Sequence, residues 1–241
     1  MSEKSASYLD KLFGLEGRTA VVTGGNRGIG QVVARGLASA GAEVVVISRS
    51  GGAETVKLIL EDGNKAYDIK ADVTDEKSVD RAVEEIEKRS GGIHVLFNNA
   101  GICIHKSTFE ASIEEFRQVV DVNLTGEYIM ARSAARLMVQ KKIHGSIINM
   151  ASMSGTIVNI PQWQASYNAS KAGVIHLTKS LALEWIPYGI RVNSLSPGYI
   201  STPMSVDTPQ ELKDAWKGMM PYGRMGTCLL YTSPSPRDTE R

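Results

Sequence analysis

Cysteine is scarce: the 241 residues hold two, Cys103 and Cys228, far apart and in no metal-ligand spacing. That argues against a disulfide framework and sets a reducing compartment as the expectation. Long apolar runs are missing too. Met1 to Gly14 mixes Glu3, Lys4, Asp10 and Lys11 with isolated apolar residues, so it reads neither as a signal peptide nor as a membrane span. Charge of one sign is also lacking. Against 27 Lys and Arg stand 26 Asp and Glu, a net charge of +1, which removes the electrostatic case for a nucleic-acid partner or an acidic membrane surface. The four histidines, His94, His105, His144 and His176, fall in no ligand spacing, and no metal site is expected. What remains is a 42% hydrophobic composition at a length suited to one α/β domain, with a cytoplasmic location as the expectation.

Strand-like and helix-like runs alternate. Thr19-Ala-Val-Val-Thr23, Glu43-Val-Val-Val-Ile47, residues 65–70, Val95-Leu-Phe97, Ser146-Ile-Ile-Asn-Met150 and residues 191–195 read as six strands. Helical stretches fall between them, near residues 54–60, 76–89, 113–121, 125–141 and 166–185. The first helix carries Val32, Val33, Leu37 and Ala40 on one side and stops at Gly41. Apolar strands separated by amphipathic helices predict a parallel sheet covered on both faces. Right-handed crossovers make it a Rossmann-like, doubly wound α/β fold of three αβα layers, strand order 3-2-1-4-5-6. Neither a repeat nor a dividing linker interrupts the chain, so one domain is expected over residues 18–227 after a leader of residues 1–17.

Thr23-Gly-Gly-Asn-Arg-Gly-Ile-Gly30 lies between the first strand and the first helix. Glycines there allow a tight turn and close approach of the backbone to a pyrophosphate, and the helix N-terminus offers free N–H groups. Gly24, Asn26, Arg27, Gly28, Ile29 and Gly30 are the candidates. The spacing differs from G-x-G-x-x-G. At the end of the second strand an acidic residue would bind the ribose 2′-hydroxyl of NAD. Ser48-Arg49 stands there instead, with Arg27 in the loop, and two guanidiniums suit the 2′-phosphate of NADP(H) better than NAD(H).

Tyr167-Asn-Ala-Ser-Lys171 sets a phenol and an ammonium one helical turn apart on one face. A free tyrosine titrates near pH 10, and a nearby cation favours its phenolate. Tyr167 could then exchange a proton with a carbonyl or alcohol oxygen in step with hydride transfer.

Taken together, Thr23–Gly30, Asp72, Asn98-Asn-Ala-Gly101, Asn123, Ser152, Tyr167/Lys171 and Pro197-Gly198 resemble the short-chain dehydrogenase/reductase family over residues 18 to about 204. The resemblance implies a reductase or dehydrogenase of a small-molecule carbonyl or alcohol. It implies that Asp72 and Val73 flank the adenine, and that Asn98, Ala100 and Gly101 line a cofactor ribose while bracing the central strand. Pro197, Gly198, Ile200 and Thr202 would close over the nicotinamide, and Lys171 would bond its ribose. Asn123 would disturb its helix and hold a water on the proton relay. The serine is Ser152 by the local pattern N-x-x-S-x-x-G, and Ser154 by its distance from the tyrosine.

The stretch from Ser152 to Tyr167, with the leader ending Leu12-Phe-Gly-Leu-Glu-Gly17, is similar to the mannitol/sorbose branch, which interconverts ketoses and polyols. Asn159, Gln162 and Gln164 offer the amides that sugar hydroxyls need, and Trp163 could wall a sugar face. A 3-oxoacyl thioester reductase shares this plan, and a non-catalytic NADP(H)-sensing regulator is the alternative from another class. By resemblance the intact parent is a homotetramer. After Gly226 the chain departs from the family. Residues 228–241, with Pro234 and Pro236, resemble translated sequencing adapter, so the native frame is expected to stop near Thr227 and a seventh strand to be missing.

Overall fold

Every residue of β1 (Thr19–Thr23) is buried, as its unbroken small and β-branched sequence requires of a strand with no wet face. The structure, a computed structural model, describes residues 12–206 and 208–231. Most of the expected leader and residues 232–241 of the expected non-native tail lie outside the described residues. β1 pairs in parallel with β2 (Glu43–Ser48) and β4 (Val95–Asn98). β3 (Ala66–Lys70) extends the sheet beyond β2, and β5 (Ser146–Met150) and β6 (Arg191–Leu195) extend it beyond β4. The order is β3-β2-β1-β4-β5-β6, the doubly wound order expected. It reverses between β1 and β4, which opens a crevice at the carboxyl ends of these strands.

Helices cover both faces, and neighbouring residues of β1 feed opposite layers. Ala20, Val22, Val44 and Val46 pack on Val33 and Ala34 of α1 (Gly28–Ser39) and Ile59 of α2 (Ala53–Glu61). Val21, Val45 and Ile47 belong to the other layer. It is built with Val79 and Ile86 of α3 (Glu76–Ser90), Met130 and Ala134 of α5 (Gly126–Lys141), and Leu181 and Trp185 of α6 (Ala165–Trp185). Full burial of one such aliphatic side chain is worth about 1.5–3 kcal/mol, so the two layers hold the helices onto the sheet.

Local chemistry sets the helix ends. Asp75 caps α3 by accepting from the Lys77 N–H, and Gly91, at φ 79°, ends it in the left-handed region. Ser112 and Glu115 form a capping box at the start of α4 (Ile113–Val120). The two helices expected at 113–121 and 125–141 are joined without a break by a π-turn, Asp121–Thr125. Its centre is Asn123, fully buried, whose amide is fastened to the chain after β4 and to α6. Beyond β6 come α7 (Pro203–Val206), α8 (Gln210–Met219) and a 3-10 turn, Cys228–Tyr231. An isolated parallel bridge joins Ile200 to Gly226.

Candidate active site

A cleft of about 660 Å³ opens at the carboxyl ends of the strands. Its floor at one end is the glycine loop. Gly24 and Gly28 have φ of 62° and 57°, a region that L side chains seldom adopt. A Cβ on Gly30 would collide with the Gly24 carbonyl oxygen, so a side chain there would push the loop off α1. Arg27, at the N-cap of α1, makes no side-chain cap bond, and the first turn holds no acid. The chain therefore leaves the N–H groups and positive dipole end of α1 for an anion, and a pyrophosphate fits this cradle.

Gly24, Asn26, Arg27, Gly28 and Ile29 line the cleft, as do Ser48, Arg49, Asp72 and Val73. Arg27 and Arg49 are exposed at its mouth. Burial pushes the Asp72 carboxyl up, yet hydrogen bonds from the Thr74 N–H and hydroxyl, helped by Arg49, hold it below its ordinary value. Ser48 donates to the Gly51 carbonyl at 2.8 Å, which shapes the turn that carries Arg49.

Ala100 and Gly101 line the cleft, whereas Gly30, Asn98 and Asn123 lie behind its wall. Asn98 was expected both to line a ribose and to brace the central strand. It does the bracing: its Nδ2 donates to the Glu127 carbonyl at 2.7 Å and to Asn149 Oδ1 at 3.3 Å, which ties β4 to α5 and β5. The wall position goes to Asn99, which lies inside the expected segment from Asn98 to Gly101 but was not named among its site residues. Asn99 Nδ2 donates to the carbonyls of Thr23 and Gly24 at 3.1 and 3.3 Å, fixing the loop.

Tyr167 and Lys171 project from the first turns of α6 into the cleft. Lys171 is buried, and Nζ lies 5.9 Å from the Tyr167 ring centroid. Nζ donates to the Met150 carbonyl and to Glu127 Oε1. Glu127 was missed: nothing in its spacing marks it except that it follows Asn123 by one turn. Ser152 and Ser154 both line the cleft. Ser152 Oγ accepts from the Ser154 N–H at 3.1 Å, and Ser154 Oγ accepts from Gln164 Nε2 at 3.2 Å. Pro197, Gly198, Ile200 and Thr202 form the facing wall; the Met153 N–H donates to the Pro197 carbonyl at 2.9 Å.

The far end of the cleft is amide-rich. Gln164 Nε2 lies within hydrogen-bond distance of Ser154 Oγ, Asn159 Oδ1 and Asn168 Oδ1. Asn159 Nδ2 and Gln162 Nε2 both donate to Tyr199 Oη at 3.2 Å. Trp163 is not the aromatic wall. The residue is 63% exposed, because Gln162 and Gln164 on either side turn inward and it turns out. Trp216 of α8 and Tyr199 supply the aromatic surface instead. Burial pushes the Cys103 thiol up to about 12, opposed by Lys171, and lowers His105, opposed by a Gln164 hydrogen bond.

A sequence model of the short chain dehydrogenase family matches residues 18–213. The chain belongs to this family. It is a short-chain dehydrogenase/reductase, an oxidoreductase of the alcohol–carbonyl class, served by a nicotinamide dinucleotide. Its relatives include a sorbose reductase of Candida albicans, 42% identical, covering 89% of this chain and 78% of that one. An NADP-dependent mannitol dehydrogenase of Alternaria alternata is 40% identical over 93% and 86% of the two chains. A 3-oxoacyl-acyl-carrier-protein reductase of Aquifex aeolicus is 37% identical over 88% and 86%. Among solved structures, a short-chain dehydrogenase/reductase of Mycobacterium marinum superposes with a TM-score of 0.89 at 42% identity, covering 94% and 89%. Among the described residues no helix of this short-chain dehydrogenase is long and apolar enough to cross a membrane, and no cluster of His, Cys, Asp or Glu could hold a metal.

Proposed function

We propose that this chain is an NADP(H)-dependent oxidoreductase that interconverts a ketose and a polyol. The observation that carries the substrate class is the buried amide group of Asn159, Gln162 and Gln164, at the same end of the cleft as Tyr167 and Ser154. Amides donate and accept at once, which suits a chain of hydroxyls and gives little to an acyl thioester. The sorbose and mannitol relatives support the same reading. Arg27 and Arg49 at the mouth of the cleft, with no acid at the end of β2, support NADP(H) over NAD(H).

When bound, NADP(H) supplies or takes the hydride. Gly24, Gly28 and the start of α1 would hold its pyrophosphate, Arg27 and Arg49 its 2′-phosphate, and the segment from Pro197 to Thr202 would hold its reacting end. Tyr167 gives a proton to the carbonyl oxygen during reduction and takes one from the alcohol during oxidation. Lys171 sets a positive charge beside Tyr167, its Nζ 5.9 Å from the ring centroid. Ser152 hydrogen-bonds the substrate oxygen and stabilises charge developing there. Asn123 holds the chain after β4 against α6 through Ile102 and Ser170.

The test is oxidation of NADPH and NADH at 340 nm with fructose, sorbose and an acetoacetyl thioester. Ketose-dependent NADPH turnover supports the proposal; turnover with the thioester alone moves the enzyme to the acyl branch. Binding of NADPH without turnover of any carbonyl would favour the sensor reading.

A further inference from the structure

Two opposite charges meet at the cleft wall, Lys171 on it and Glu127 behind it. The side chains of Lys171 and Glu127 are 3% and 1% exposed, with Nζ 3.1 Å from Glu127 Oε1. An ammonium carries three N–H bonds. Met150 and Glu127 take two of them, which leaves one for the cleft side, where Tyr167 stands.

Glu127 is an expensive residue to bury. Its Oε2 has no hydrogen-bond partner among the described residues. Burial pushes its carboxyl up to about 7 against the pull of Lys171. Its backbone carbonyl, not its side chain, receives the Asn98 amide, so the carboxylate is not what braces β4. The groups facing the pair are Tyr167 on α6, the Cys103 thiol after β4 and the Met150 carbonyl of β5; the Asn98 and Asn149 amides are neutral. Lys171 is the cation that Glu127 meets.

We propose that Glu127 is a positioning residue for the reaction, holding Lys171 charged and aimed so that the lysine can act on Tyr167. The proposal rests on Tyr167 and Lys171 being the acid/base pair. Removing a carboxylate from a buried ammonium disfavours the charged form of the amine.

The pairing is testable without cofactor or substrate, because only a neutral amine reacts with acetic anhydride. Acetylation of Lys171 is followed by peptide mass, with the exposed Lys57 as internal standard, in the wild type, Glu127→Gln and Glu127→Asp. The ratio of the rates at pH 7 and pH 10 cancels access to the cleft. That ratio rises at least tenfold in Glu127→Gln, which still accepts from Nζ but carries no charge. It changes less than threefold in Glu127→Asp. In alcohol oxidation the acid limb of the pH–rate profile moves to higher pH in Glu127→Gln, with KM altered less than twofold. An unchanged acetylation ratio overturns the proposal, whatever the ketose assay shows about the reductase reading. Should Glu127→Gln not fold, the neutral pair Glu127→Gln, Lys171→Met answers the same question. It melts above Lys171→Met alone if the lysine is what Glu127 serves, and the absence of any gain overturns the proposal.

Discussion

Trp216 lies flat on Tyr199, the ring centroids 4.5 Å apart and the planes 12° from parallel, and its Nε1 donates to Gln162 Oε1 at 2.9 Å. One side chain on α8 thereby holds both the aromatic wall of the cleft and one of its amides. Replacing Trp216 by Ala removes both supports, and ketose kcat/KM is expected to fall about 10- to 100-fold, mainly through KM. Trp216→Phe keeps the stack and loses the Gln162 bond, so it should fall between. Steady-state kinetics with the best ketose of the panel decide it, and NADPH affinity unchanged within about twofold shows that the cofactor end is intact.

Tyr167→Phe is expected to lower kcat by about 10²–10⁴-fold while NADPH still binds, read by fluorescence titration beside turnover. The two serines separate in the same assay. Ser152→Ala should cost about 10²-fold or more in kcat, and Ser154→Ala should act chiefly on KM, since its hydroxyl supports Gln164. The reverse order would make Ser154 the residue that meets the substrate oxygen.

Cofactor choice is expected to follow Arg27 and Arg49. Arg49→Asp places an acid at the end of β2 and removes a guanidinium, and should shift the ratio of kcat/KM for NADPH over NADH by at least about tenfold toward NADH. No change in that ratio would mean that the 2′-phosphate is read elsewhere.

Cys103 should behave as an inert thiol. Its value of about 12 lies far above the ordinary 9, so at pH 8 the thiolate fraction drops by about a thousandfold. Alkylation by iodoacetamide at Cys103, read by peptide mass, should be at least 100-fold slower than for a free thiol. It should rise as pH increases toward 12. Rapid labelling at pH 8 would contradict the half-buried placement beside Gln164.

Gly30→Ala tests the cradle itself. With backbone oxygen in the way, the loop must move, at a cost of about 1–3 kcal/mol. Thermal denaturation without cofactor should show the loss, and NADPH binding should weaken with it.

Much of this was legible in the chain. β1, β5 and β6 fall on the residues expected, because short β-branched runs bounded by Gly, Asn or Ser leave little freedom in where a buried strand starts and stops. The cleft gathers the glycine loop, Ser152, Tyr167 and Lys171, whose local spacings are visible in one dimension. What was not legible depends on which way a side chain turns. Trp163 and Trp216 look alike in sequence, yet the alternation around Gln162 and Gln164 sends one outward while α8 brings the other in. Asn98 and Asn99 are adjacent and chemically identical; the pleat puts the first behind the wall and the second on it. Glu127 sits among buried residues of α5, where a lone acid carries no period of its own, and its partner is 44 residues away on another helix.

The π-turn at Asp121–Thr125 acts as a phase shift along one long rod. Such a turn holds one residue more than an α-turn, and each added residue rotates everything downstream by about 100°. Asn123 and Glu127 therefore point as they do only because the helix miscounts once between them and α4. Deleting Leu124 alone would leave the net charge and every site residue named above in the sequence. It would still swing Glu127 away from Lys171, so the orientation of that carboxylate is stored in a count of residues.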